Sequence, residues 1–299
     1  MNNELLIDRE KQFVDNLSSL YEYDEDIKHL LYLLIPAFII KYGLNKEKIV
    51  QKTFLETPII PSQKEDKYLK AYYSSKVYKE HDTIKTKKFM VIQNYTKNSL
   101  IELLDNLVHE FNHAINSNQN EVTIEEDRIL VRTGLTYRIY DKSSLKYIKK
   151  DNSFILEEII NTKQTEDVIN ILKGFKSQDR SFDATIYAIN NETNNEYESK
   201  SYYLESYICK EILKNRTFIS TLEKLRLSGN IQDIPTWFDD IAGKGCYERF
   251  INLLKEISDL EKEYTLKSLW KKRLLIKIKD KSKEIMQIIN MFNENVNFR

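Results

Sequence analysis

Only six glycines and four prolines punctuate 299 residues. Within a helix, Gly costs about 1 kcal/mol and Pro about 3 kcal/mol relative to Ala. A chain so poor in both favours long helices and few glycine-built turns. Hydrophobic residues make up 41% and charged residues 31%, so there is apolar content for a core and no compositional sign of disorder. The length allows one large domain or two modest ones.

Helical spacing is plain in several stretches. Residues 8–23 and 26–42 read as helices; in the second, Ile27, Leu30, Leu31, Leu34 and Phe38 share a face and Gly43 marks the stop. Residues 54–60, 70–79 and 88–95 read as strands, from runs such as AYYSSKVY and KFMVIQNY. Residues 99–117 form the clearest helix. Ser99 caps it, Glu102 completes a capping box, and Leu100, Leu103, Leu104, Leu107, Phe111, Ala114 and Ile115 follow a helical period. Strands at 121–126 and 129–140 follow around a turn at Glu126-Asp127. A helix then begins near Ser153 and runs to about Gly174, with a break expected near Thr165. From residue 199 the chain reads as helical, at 199–225, 246–262 and 265–293, with a loop around Pro235 and Gly243-Lys-Gly245. The fold class implied is α+β: a mixed α/β lobe over 1–150, then a mainly helical lobe over 151–299.

Charge narrows the partners. Lys+Arg and Asp+Glu are both 46, a formal net charge of zero, so there is no general attraction to nucleic acid or to an anionic membrane. The basic run Lys271–Lys283 reads as a solvated helix face, because no aromatic residues interleave it. Cys209 and Cys246 form no CxxC pair, which argues against a disulfide scaffold and against a cysteine-based zinc site. The start, MNNELLIDREKQF, lacks a basic stretch followed by an apolar run, so no signal peptide is expected. The longest apolar run, Leu30–Ile40, is interrupted by Pro36 and falls well short of the ~20 residues a spanning helix needs; a buried helix is expected. The expectation is a cytoplasmic protein.

The chemistry lies in the helix at 99–117, which contains Val108-His109-Glu110-Phe111-Asn112-His113-Ala114-Ile115. This is HExxH. Two imidazoles four residues apart lie on one helical face and can converge on one ion at about 2.0–2.1 Å. The glutamate between them points to an adjacent angle, where it can reach an activated water without ligating the metal. Zinc lowers the pKa of such a water to about 7, and a carboxylate can take its proton. Only four histidines occur, His29, His81, His109 and His113, and two of them fall in the motif. The competing reading is a surface helix with two solvated histidines. The apolar pattern around the motif opposes it, because ionisable groups amid that pattern would cost stability without a task.

On these residues the chain resembles the zincin metallopeptidases, and specifically their glutamate-liganded branch, the gluzincins. The resemblance is sharp over 99–117 and weaker over 153–170. The metzincin pattern fails, since it needs Gly at 116 and His at 119, where this chain has Asn116 and Gln119. No histidine follows His113, so a downstream third ligand must be a carboxylate, and His₂Glu is an established catalytic zinc set. The family supplies that ligand from a second helix in a short Asn-Glu or Glu-Glu element. Matching it to Phe154-Ile-Leu-Glu157-Glu158-Ile-Ile-Asn161-Thr162 implies Glu158 as ligand with Glu157 before it. Helical phase favours Glu158, which shares a face with Ile155, Thr162 and Thr165, over Glu157, about 100° away. The family's frequent aspartate four residues after the ligand is Thr162 here, which leaves Asn161 or Asp105 to support the first histidine.

The resemblance also implies a second donor for the oxyanion of amide hydrolysis. Without a further histidine it must be a tyrosine or an arginine. Tyr147, Tyr202, Tyr207 and Tyr137 are candidates; Tyr203 and Arg132 are preferred. Zincin-like enzymes commonly bind peptide as an added strand, and strand 129–140 is the expected edge, with Gly134 permitting close backbone approach. The activity implied is zinc-dependent hydrolysis of peptide bonds in a peptide or protein substrate, with His109, His113 and Glu158 on Zn²⁺ and Glu110 as general base. The alternatives are an inactive zincin-like binding or scaffold protein, and a metal-dependent hydrolase of non-peptide bonds.

Overall fold

The apolar run at Leu30–Ile40 lies within a helix and is buried apart from half-buried Tyr32 and exposed Ile40. The computed structural model of the chain describes residues 3–64, 70–119, 121–151, 153–175, 180–193, 212–266 and 271–296. The fold is α+β. Among the described residues, no single helix is long and apolar enough to cross a membrane.

Two compact units interleave along the chain. The first holds Met1–Asn118 with Asn161–Tyr202; the second holds Gln119–Ile160 with Tyr203–Arg299. The boundaries of these units differ from the expected 1–150 and 151–299. Hydrophobic spacing reveals which face of a helix is buried but not which core receives it. One continuous helix therefore starts in one unit and ends in the other.

In the first unit, α1 (Asn3–Tyr21), α2 (Glu25–Tyr42) and α3 (Glu47–Glu56) lead into strands β1 (Ile59–Pro61), β2 (Ala71–Glu80) and β3 (Thr83–Ile92), then α4 (Leu100–Asn116). Residues 54–56, expected as strand, belong to α3, whose Val50, Thr53 and Phe54 face inward at helical spacing. Phe54 stacks on Phe111 of α4 at 3.9 Å between ring centroids, and Phe38 of α2 meets both rings edge-on. The sheet order is β1-β3-β2, so among the described residues β2 has a strand neighbour on one side only. It pairs with β3 along its whole length, Ala71 opposite Ile92 and Glu80 opposite Thr83. The joining pair His81-Asp82 has positive φ at both residues, 45° and 64°, the twist a two-residue hairpin requires.

In the second unit, β4 (Val122–Ile124), β5 (Arg128–Thr133), β6 (Thr136–Asp141) and β7 (Tyr147–Lys150) form a meander in that order. The stretch 129–140 is thus an inner hairpin flanked by β4 and β7, not an edge. Helix α5 (Phe154–Lys173) follows and crosses into the first unit after Ile160. It has no break at Thr165, whose hydroxyl is satisfied within the helix by donating to the carbonyl of Asn161. The first unit also contains α6 (Arg180–Thr193). The second unit's α7 (Arg216–Ser228), α8 (Ile234–Ala242), α9 (Cys246–Leu266) and α10 (Lys271–Val296) enclose a core that includes Phe218, Phe238, Phe250 and Phe292. Pro235, expected in a loop, sits in the first turn of α8, where its missing N–H has no helical partner to lose.

A buried polar knot fixes the first turn of α5 in this unit. Glu157 accepts the Leu135 N–H at 2.7 Å and pairs with the Arg226 guanidinium, both side chains being almost fully buried. Gly134, at φ +59°, carries the turn between β5 and β6, and a Cβ there would lie 2.1 Å from the Glu157 carboxylate oxygens. Arg132 spans the other side, donating to the carbonyls of Gln119 (2.8 Å), Gly134 (2.7 Å) and Arg226 (2.9 Å). Removing one partner of a buried ion pair strands the other charge, at a cost of about 3–5 kcal/mol. Arg226→Met is therefore expected to lower the unfolding free energy by about that amount in urea titrations; a loss below about 1 kcal/mol would show that the knot does not hold the unit together.

Candidate metal centre

Helix α4 starts where its sequence says it should. Ser99 accepts the Glu102 N–H at 3.2 Å, and the Glu102 carboxylate accepts the Ser99 N–H at 3.0 Å, closing the capping box. From Leu103 to Asn116 every residue is buried. Leu104, Leu107, Val108, Phe111 and Ile115 cover one side. Asp105, His109, Asn112, His113 and Asn116 lie together on the other, as a 100° step per residue dictates.

The second half of α5 answers that polar side group by group. The Asn161 amide donates to the His109 main-chain carbonyl at 2.8 Å. Asn112 donates to the Thr165 hydroxyl at 3.3 Å and accepts from the Tyr42 hydroxyl at 2.8 Å. Asn116 donates to the Gln164 side-chain carbonyl at 3.1 Å and to the Tyr42 oxygen at 2.7 Å. Sequence reading singled out none of Asn112, Asn116, Tyr42 or Gln164. The signal was the unbroken polar stripe through 105, 109, 112, 113 and 116, which continues past the motif at both ends.

The two imidazoles remain. Their ring centroids are 5.0 Å apart, with the planes nearly perpendicular at 77°. Glu158 lies on α5 three residues before Asn161, on the same helical face. His109, His113 and Glu158 each offer one ligand atom, all within 4.8 Å of one another. Ligand atoms on a tetrahedral zinc stand about 3.3 Å apart, given bonds of 2.0–2.2 Å, so small side-chain rotations would close the set. The relative exposures are 3%, 6% and 8%, so the cluster is screened from bulk water. Two neutral imidazoles and one carboxylate fit a catalytic zinc, with a fourth position left for water.

Glu110 of α4 reaches β2, where its Oε2 accepts the Tyr73 main-chain N–H at 2.5 Å. A backbone donor has no side-chain signature, so this contact left no trace in the sequence. Glu157, the less favoured ligand candidate, is occupied by Leu135 and Arg226. Arg132, preferred as an oxyanion donor, does another job: it is fully buried and spends its guanidinium on three main-chain carbonyls. Burial pulls its pKa down to about 10, which still leaves it charged at neutral pH. Tyr203, with Tyr202 and Tyr207, lies outside the described residues. Tyr147 is exposed on β7 and Tyr137 is half-buried on β6. Of the two residues considered as support for the first histidine, Asn161 meets it at the main chain rather than the ring, and Asp105 is buried one turn earlier on α4.

The adjacent glutamates are expected to separate cleanly. Glu157→Gln should lower the urea midpoint of the metal-free protein more than Glu158→Gln does. Glu158→Gln should abolish uptake of divalent metal after dialysis, whereas Glu157→Gln should retain it. The opposite pattern would move the ligand role to Glu157.

Comparison of the chain with protein-family models, with curated proteins and with solved structures finds no match in any of the three.

Proposed function

We propose that this chain is a zinc-dependent metallopeptidase of gluzincin-like design, with His109, His113 and Glu158 as ligands and Glu110 as general base. The observation that carries the reading is the convergence of two imidazoles and one carboxylate in a buried cluster, with a second glutamate one residue from the first histidine. When bound there, zinc would supply the Lewis acidity that makes water nucleophilic near neutral pH. The chain's own groups do the rest. Tyr73 holds one oxygen of Glu110, so the carboxylate is oriented before substrate arrives. The second oxygen takes the proton from the attacking water and delivers it to the departing amine.

A peptide is the substrate class that the surrounding backbone suits best. Strand β2, whose Tyr73 orients the base, is an edge strand of its sheet. An extended peptide added along such an edge gains main-chain hydrogen bonds independent of its side chains. This assigns the docking edge to β2 in place of 129–140, whose strands are flanked on both sides.

Purified protein dialysed against zinc is expected to hold about one ion per chain, measured by mass spectrometry of the metal. Glu110→Gln should keep that ion and lower cleavage of a general peptide library by at least about 10²-fold. Full zinc occupancy with undiminished cleavage in Glu110→Gln would remove the base from the mechanism. Absence of zinc from the wild-type protein would remove the proposal.

A further inference from the structure

We infer that Asn161 is a positioning residue for this centre, setting the phase of α5 so that Glu158 meets the histidines. The inference rests on the metal reading above. Asn161 is fully buried, and its amide reaches the His109 carbonyl at 2.8 Å. In a helix that carbonyl already accepts the N–H four residues on, which is that of His113. One main-chain oxygen thus links the backbones of both imidazole residues to the helix that carries the carboxylate. Glu158 is one turn from this link.

The magnitude explains why such a link matters. An atom about 6 Å from a helix axis moves about 3 Å when the helix rotates by about 30°. Ligand distances at zinc tolerate only about 0.2 Å. Apolar packing limits such rotations without aiming any particular atom, whereas a directed amide–carbonyl bond in a dry interface fixes the phase of the residue that makes it. Two further bridges between α4 and α5, at Asn112–Thr165 and Asn116–Gln164, lie six or seven residues beyond Glu158 and control its phase less directly.

The test uses the full chain and compares Asn161→Ala with Thr165→Val, which trims a contact on the same interface. Zinc affinity is measured by competition with a chelator. Cobalt is substituted for zinc, and its visible absorption reads the ligand set. Asn161→Ala is expected to weaken zinc binding about 10- to 100-fold and to change the cobalt spectrum from that of the wild-type protein. Thr165→Val is expected to keep the wild-type spectrum and an affinity within about threefold of wild type. Asn161→Ser serves the same comparison if circular dichroism shows that the alanine variant is unfolded. Equal affinities and spectra for the Asn161 and Thr165 variants, with wild type binding zinc, overturn the positioning role and leave the metal centre standing. A wild-type protein that takes up neither zinc nor cobalt overturns the metal centre itself, and the positioning role with it.

Discussion

A helix buried on nearly every side can carry polar groups only if each one finds a partner, and α4 is such a helix from Leu103 to Asn116. Its apolar side is fixed by Phe111, held among Phe38 and Phe54. Its polar side is fixed by Tyr42, Asn161, Gln164 and Thr165. Hydrophobic packing on one side and directed hydrogen bonds on the other leave the helix little freedom to turn about its axis. His109 and His113 inherit that rigidity. A stripe of leucines in place of these groups would be simpler to bury, so the retention of a hydrogen-bonded polar side around two imidazoles argues for a task beyond folding.

The neighbouring glutamates of α5 face different surroundings by helical phase alone. Consecutive residues point about 100° apart, so Glu157 and Glu158 cannot serve the same surroundings. Glu157 turns to Arg226 and the Leu135 N–H. Glu158 turns to His109 and His113. Four residues after Glu157, Asn161 holds the helix again through the His109 carbonyl. Glu158 is therefore bracketed by two buried polar anchors on one unbroken helix, each opposing rotation.

Much of this site was legible in the sequence because its information is local. The capping box at Ser99 and Glu102, the leucine period and the spacing of His109 to His113 all lie within one element, and α4 begins at Leu100 directly after its cap. Glu158 was reachable by phase for the same reason. What sequence reading missed depends on contacts distant along the chain. Residues 54–56 have strand-like neighbours, but Phe54 is drawn into α3 by the rings of α2 and α4. Arg132 follows the apolar run Ile129-Leu130-Val131 with nothing local to mark its task, and only the carbonyls of Gln119, Gly134 and Arg226 reveal its role. The hydrophobic pattern of α5 does not reveal that its residues up to Ile160 fall in one compact unit and those from Asn161 in the other.

The contact between Glu110 and Tyr73 joins the proposed chemistry to the sheet. A glutamate side chain has three rotatable bonds and loses them only if something holds its end. Here the holder is a main-chain N–H, and that main chain is set by ten consecutive pairings between β2 and β3. The carboxylate is thus referred to a sheet rather than to another mobile side chain. Because β2 is also an edge strand among the described residues, a peptide aligned along it would be referred to the same frame as the base. Orientation of the reacting groups then follows from strand pairing, the most repeatable geometry the chain possesses, and little of it is left to side-chain rotamers.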